Sequence, residues 1–280
     1  MAGIRVVTDS ACDLTPAVAD AHGIRVVPLT IRFGSEELVD REELSIKEFW
    51  DRVVTGPHMP ETAAPSPGAF RDAYVEAGEA GCDGVVCITL SSRLSATFQA
   101  ATTAMAELPG GPPVSVVDSL SVTMGEGLLV LAAAEMAEQG QTLEQIVTAV
   151  ESLRDRTYVY GVVESLDYLR RGGRIGGAAH LVGSLLSIKP VIEVRSGVVE
   201  VESKQRTRSR SLQYLAGKAL QAGALERLAV ANGAARDIDE VVSLLEAAHP
   251  AHDTVFTDLG PVIGAHAGPG SVGVCFQLAS

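Results

Sequence analysis

Short β-branched runs alternate with stretches of helical spacing through the first half of the chain. Ile4-Arg5-Val6-Val7 is an apolar run that stops at Thr8-Asp9-Ser10, and a helical pattern follows Pro16 and ends at Gly23. Ile24 to Phe33 reads as one or two strands, and Ser45-x-x-Glu48 is a capping box that opens a helix through Val54. Gly84 to Leu90 is a continuous apolar run of the kind found in buried parallel strands. Leu94 to Leu108 has helical spacing, Val114 to Val117 reads as a strand, and a long apolar helix runs from about Val122 to Gln139. A second box, Thr142-x-x-Gln145, opens a helix to Arg154. Strands alternating with helices predict right-handed βαβ units and a mostly parallel sheet covered on both faces.

The second half has a different rhythm. Val159 to Val163 is a strand pattern, and Leu166 to Arg171 is a short helix broken by Gly172-Gly173. Lys189 to Arg195 and Val198 to Arg206 predict a hairpin turned at Ser196-Gly197. Helices are predicted over Ser209 to Ala222 and Ile238 to Ala248, with strands at Ala229-Val230, Thr254 to Thr257 and Ser271 to Phe276. The pattern predicts an α/β protein with an N-terminal mostly parallel domain, residues 1–155, and a C-terminal α+β domain, residues 156–280. Without an internal repeat or a low-complexity linker, the two domains are expected to pack closely around a cleft.

Composition narrows the function classes. Apolar residues make up 46% of the 280 residues and aromatics only 4%, so the core is aliphatic and suited to enclosing a flexible ligand. A net charge of −13 argues against nucleic acid as a partner, because phosphate binding needs a basic footprint. No apolar segment approaches the roughly 18 residues of a membrane span, and the first residues lack the long apolar stretch of a signal peptide. Cys12, Cys82, Cys87 and Cys275 form no C-x-x-C pair, and the six histidines show no H-x3-H clustering, so neither a disulfide framework nor zinc is expected. The expected setting is reducing and cytoplasmic, with no metal and no cofactor.

Polar residues collect where strands end. Thr8-Asp9-Ser10, Ser91-Ser92 and Asp118-Ser119 each close a predicted strand, and in a parallel sheet those ends share the edge where ligands bind. The competing reading is that small hydroxyl residues cap the helices that follow. Ser91-Ser92-Arg93-Leu94-Ser95 precedes a helix, so its hydroxyls and the free N–H groups of the first turn suit a carboxylate or phosphate. Thr62 to Gly68 reads as a proline-stiffened loop, and Gly264-Ala265-His266-Ala267-Gly268-Pro269-Gly270 as a tight glycine-rich loop around one histidine. Between Ser165 and Leu215 nine basic residues face four acids, a local positive patch suited to an acidic partner or a phosphate.

These segments, in this order along nearly the whole chain, resemble the DegV family. The matching stretches are Thr8 to Leu14, Thr62 to Gly68, Ser91 to Thr97, Asp118-Ser119, Leu169-Arg170-Arg171-Gly172-Gly173-Arg174-Ile175, Ile188-Lys189-Pro190 and Gly264 to Gly270. Two departures are visible: Ala63-Ala64, where the family often has a hydroxyl or amide, and Ala96, where glycine is usual. The resemblance implies a two-domain fold with a long-chain fatty acid buried between the domains. It implies a carboxylate held by Thr62, by Ser92 or its neighbour Ser91, and by His266. It further implies a separate ATP-dependent fatty acid kinase that makes acyl phosphate, with Arg171 and Arg174 facing that partner or the phosphate, and transient membrane contact during lipid exchange. On this reading the chain itself is not an enzyme. The alternative, a hydrolase or acyltransferase with Ser92 as nucleophile, His266 as base and Asp9 or Asp118 as orienter, lacks a Gly-x-Ser-x-Gly elbow. A nucleotide-binding reading of Gly268-Pro269-Gly270 lacks either phosphate-loop fingerprint.

Overall fold

The computed structural model describes residues 3–181, 188–247 and 254–279. The N-terminal elements are β1 (Ile4–Asp9), α1 (Pro16–Ala21), β2 (Arg25–Val27), β3 (Thr30–Phe33), β4 (Glu36–Val39), α2 (Ile46–Thr55), β5 (Pro60–Ala63), α3 (Pro67–Glu79), β6 (Gly84–Thr89), α4 (Thr97–Ala106), β7 (Val114–Asp118), α5 (Thr123–Glu138) and α6 (Leu143–Arg154). They are followed by β8 (Thr157–Val162), α7 (Asp167–Arg171), β9 (Lys189–Arg195), β10 (Val198–Gln205), α8 (Arg208–Leu220), β11 (Leu225–Gly233), α9 (Ile238–Glu246), β12 (Thr254–Asp258), α10 (Pro261–Ala267) and β13 (Ser271–Leu278). The predicted end of the helix that begins at Ile238, Ala248, lies outside the described residues.

Three sheets result. A four-stranded parallel sheet has the order β2-β1-β6-β7, and β6 is buried at every position, as its unbroken apolar run predicts. A six-stranded sheet has the order β10-β9-β8-β13-β11-β12 and is antiparallel except for the β11–β12 pair. The third sheet, β4-β3-β5, is small and antiparallel. It was not legible in the chain: Ile24 to Phe33 divides into β2 and β3, which join different sheets, and Thr62 sits in strand β5 rather than in a loop.

Helix α5 joins the two large sheets. It is buried from Thr123 through Ala134, the behaviour expected of a helix that is apolar on all sides. Its Leu128 and Leu129 share one apolar cluster with Val6 and Ile88 of the parallel sheet and with Val159, Ala229 and Cys275 of the six-stranded sheet. The two halves thus share a core layer along α5, and the space beyond its N-terminal end is left between them.

The hairpin prediction is met: Ser196 and Gly197 turn β9 into β10 with φ of 48° and 82°. Both predicted capping residues, Ser45 and Thr142, accept from the third residue of their helices, and only Thr142 closes the reciprocal bond with Gln145. The glycine-rich segment differs from expectation. Gly264 to Ala267 is the second half of α10, so His266 stands in a helix's last turn and not in a loop. Glycine composition argues against a helix there, yet close packing requires it: a Cβ on Gly264 would come within 2.5 Å of the Phe49 ring and 2.9 Å of Trp50.

Candidate functional site

A cavity opens between one face of the six-stranded sheet, α10 and the loops after β6 and β7. Its walls are mainly aliphatic, among them Val159, Val163, Ile192, Val194, Val262 and Ile263, and Thr62, Ser95, Arg174 and His266 also line it. These polar residues are held by two sets of bonds, one at Thr62 and His266 and one around Arg174. Thr62 Oγ1 lies 2.9 Å from His266 Nε2. Arg174 donates from Nε to the Leu94 carbonyl at 2.9 Å, next to Ser95, and from Nη1 to the Gly172 carbonyl at 2.6 Å. Gly172 in turn backs the histidine, since a Cβ there would stand 2.2 Å from His266 Nδ1.

Thr62, Ser95 and His266 are each placed by identifiable contacts. Thr62 is opposite Ile31 in β5, between the outward-facing Glu61 and Ala63. Ser95 accepts from the Thr97 backbone at 3.3 Å and pairs with the Thr97 hydroxyl at 2.8 Å, which fixes it ahead of α4. His266 depends on α10, which opens with Pro261 in its first turn and whose preceding Gly260 N–H donates to Asp13 Oδ1 at 2.9 Å. Trp50 Nε1 donates to the Leu259 carbonyl at 3.1 Å, tying the same turn to α2. At the other end Gly268, with φ of 77°, stops the helix against Tyr168, whose ring a Cβ would meet at 2.4 Å.

Burial, reinforced by the Arg174 guanidinium, pushes the His266 imidazole down from 6.5 to about 4. The ring is therefore neutral near pH 7, and its Nδ1 is buried with no hydrogen-bond partner among the described residues. A fixed cation, a hydroxyl and a neutral imidazole beside an aliphatic chamber can hold an anion with a long apolar tail. For such an anion the hydroxyls and the imidazole would satisfy the oxygens, and the arginine would supply the counter-charge that a buried carboxylate requires.

The other predicted site residues lie elsewhere. The three strand-end clusters do converge on one edge, where they satisfy one another's backbone. Asp9 accepts from Ala11 and Leu90, and Asp118 accepts from Ser92 and Leu120. Ser91 is buried, donates to the Gly197 carbonyl at 2.7 Å and accepts from the Arg93 backbone, so it ties the hairpin to the loop after β6. Ser92 is exposed. Neither serine is part of the cavity wall; Ser95, three residues further on, is. Arg171 is exposed at the end of α7, whereas Arg174 turns into the cavity. The Ser92–His266–Asp arrangement of the hydrolase alternative is not assembled, because His266 pairs with Thr62 and both aspartates serve backbone donors. Among the described residues no group of His, Cys, Asp and Glu could hold a metal ion, and no helix is long and apolar enough to cross a membrane.

Beneath α10 lies a buried acidic network that sequence reasoning missed. Asp9, Asp13, Asp40 and Glu126 are all buried, with Arg41 among them. Burial raises Asp9 to about 7 despite its backbone donors, and raises Asp13 and Asp40 to about 6 against the pull of Arg41. Burial and the neighbouring Asp9 raise Glu126 well above its ordinary range. Groups that hold protons more tightly folded than unfolded contribute stability in full below about pH 4, and lose it as pH rises through 6 to 7. His266 acts in the opposite sense: its contribution is complete above 6.5 and is lost as pH falls through 4. Four carboxyls outweigh one imidazole, so urea unfolding is expected to show greater stability at pH 5 than at pH 7.5. Asp9 alone links on the order of 4 kcal/mol to pH, and Asp9→Asn should flatten the slope. An unchanged slope in that variant would refute the assignment.

Comparison with known proteins agrees with this architecture. A family model described as uncharacterised protein, DegV family, matches residues 3–279. The chain belongs to the DegV family. A DegV domain-containing protein of Streptomyces coelicolor is 38% identical over 275 residues, 97% of each chain. The solved structure of a Thermus thermophilus DegV family protein, described for its fatty acid binding, superposes with a TM-score of 0.89 at 34% identity over 99% of this chain and 100% of that one. A Eubacterium ventriosum protein described as binding stearic acid superposes with a TM-score of 0.85 at 27% identity over 98% of each chain. The two-domain α/β architecture of these DegV proteins is the fold seen here.

Proposed function

We propose that this protein binds one long-chain fatty acid, with the tail in the aliphatic cavity and the carboxylate at Thr62, Ser95, Arg174 and His266. The observation that supports this reading is an aliphatic chamber lined also by one arginine, one neutral histidine and the hydroxyls of Thr62 and Ser95, on a fold shared with fatty-acid-binding DegV proteins. Burying about 14 methylenes at roughly 0.8 kcal/mol each supplies on the order of 11 kcal/mol before ordering costs. The tail therefore provides affinity, and the polar cluster provides orientation. In this reading Ser91 and Ser92 shape the loop that carries Ser95.

The protein is a carrier and not a catalyst in this proposal. It presents the carboxyl group to a separate ATP-dependent kinase in the cytoplasm for acyl phosphate formation, with exposed Arg171 at the docking surface and Arg174 beside the group to be phosphorylated. Residues 1–155 and 156–280 act as the two halves of the container, and brief membrane contact allows lipid exchange.

Native mass spectrometry of the purified protein, followed by lipid extraction, is expected to find one fatty acid per chain. Thr62→Ala combined with His266→Ala should lose at least ten-fold in stearate retention, at roughly 1–1.5 kcal/mol per lost hydrogen bond, with an unchanged circular dichroism spectrum. A wild-type protein that arrives without lipid and takes up no added stearate would overturn the reading.

A further inference from the structure

Several buried and half-buried glycines in this protein are explained by what packs on them. A Cβ would meet other protein atoms at 2.2 Å on Gly125 and Gly172, at 2.4 Å on Gly268 and at 2.5 Å on Gly264. Gly161 and Gly273 are different. They stand directly opposite each other in the central β8–β13 pair, and neither has a positive φ. The nearest atom to a Cβ on either is 3.5 Å away, in ordinary contact with Ile192 and Ala231 on the neighbouring strands, and the three nearest atoms to each all belong to the sheet itself and not to the facing wall. A glycine in a strand interior weakens the strand, and its usual reasons are a bulge or the close approach of a backbone or ligand. The β8–β13 register is continuous here, and the backbone atoms nearest to either Cβ position belong to the adjoining strands of the same sheet, at 3.7–3.9 Å.

The rung that contains the pair runs Ile192, Gly161, Gly273, Ala231 across four strands. Two residues away on the same face, the rung is Val194, Val159, Cys275, Ala229, and α5 covers it there: Val159 Cγ2 lies 2.2 Å from where a Cβ on Gly125 would stand. The glycine rung has no such cover, and both glycines line the cavity that also holds Thr62, Arg174 and His266. We propose that Gly161 and Gly273 form a bare trough in the sheet across which the acyl chain passes, and that they set the length of chain the protein accepts. The assignment rests on the fatty-acid reading above and adds its specificity determinant.

The test uses Gly161→Val and Gly273→Val, with the corresponding alanine variants as milder steps that the protein's own contacts accommodate. Retention of stearate and of decanoate is measured side by side, together with the melting temperature of the delipidated protein. Both valine variants are expected to lower the stearate-to-decanoate ratio at least ten-fold, the alanine variants less, and the lipid-free melting temperature to stay equal or rise. An unchanged ratio in both valine variants, or an equal loss of both acids, would overturn the trough while leaving fatty acid binding intact. A wild-type protein that retains neither acid would instead overturn the fatty-acid reading and the trough with it.

Discussion

Alanine at position 13 is expected to lower the unfolding free energy by about 3–5 kcal/mol, the cost of breaking a buried ion pair from one side. Asp13 Oδ1 accepts from Arg41 Nη2 at 3.0 Å and from the Gly260 N–H at 2.9 Å, and its own carbonyl accepts from Thr257 at 2.7 Å. The Arg41 side chain is only 13% exposed, so without Asp13 its charge stays buried with the more distant Asp40, at 3.9 Å, as its remaining acidic partner. The same substitution leaves the first turn of α10 without its acceptor, and α10 carries His266. Asp13→Asn should cost less, about 1–3 kcal/mol, because asparagine keeps an oxygen acceptor and tolerates the left-handed φ of 55°. Urea unfolding of both variants checks this. An alanine variant within 1 kcal/mol of wild type would mean that the network does not hold the two halves together.

Arg174→Met is expected to weaken long-chain fatty acid binding by about 2–5 kcal/mol, roughly 30- to several-thousand-fold. Arg174 is the cation of the polar cluster, and a carboxylate brought there without it would be a buried and unpaired charge. A matching fatty alcohol carries no charge, so its affinity should fall much less. The ratio between acid and alcohol separates loss of counter-charge from loss of shape. Shape matters because Arg174 also bridges the Leu94 and Gly172 carbonyls. Arg174→Lys should keep part of the acid preference, since it restores the charge without the planar pair of donors. Equal losses for acid and alcohol in the methionine variant would show that Arg174 only holds the loops.

Much of the frame is local and therefore legible in the chain. The unbroken apolar run from Gly84 becomes a strand buried on both faces, the Thr142 box opens α6, and Ser196-Gly197 turns the hairpin, because each depends on neighbours a few residues away. Residues in tertiary contact are harder to read. Pro60 to Ala63 has poor strand composition and is a strand because β3 offers it an edge, and that is what places Thr62. His266 is helical although glycine and proline surround it, since Phe49, Trp50 and Tyr168 crowd the segment from outside. Ser91, Ser92 and Ser95 are alike in sequence, yet one is buried in a cross-link, one faces solvent and one lines the cavity.

Most of the order of strands and helices (the small β4-β3-β5 sheet and α10 excepted), the aliphatic character of the interior, and the gathering of polar residues at strand ends were determined by the sequence alone. Hydrophobic periodicity, capping and turn chemistry act over a turn of helix or a pair of strands. The tertiary structure decided which polar residues face the chamber, that Arg174 and not Arg171 enters it, and that four carboxyls lie buried under α10. Those outcomes depend on contacts such as that between Thr62 and His266, 204 residues apart in the chain. A cavity is the space that packing leaves unfilled, so its shape is set by every element around it at once and by no single segment.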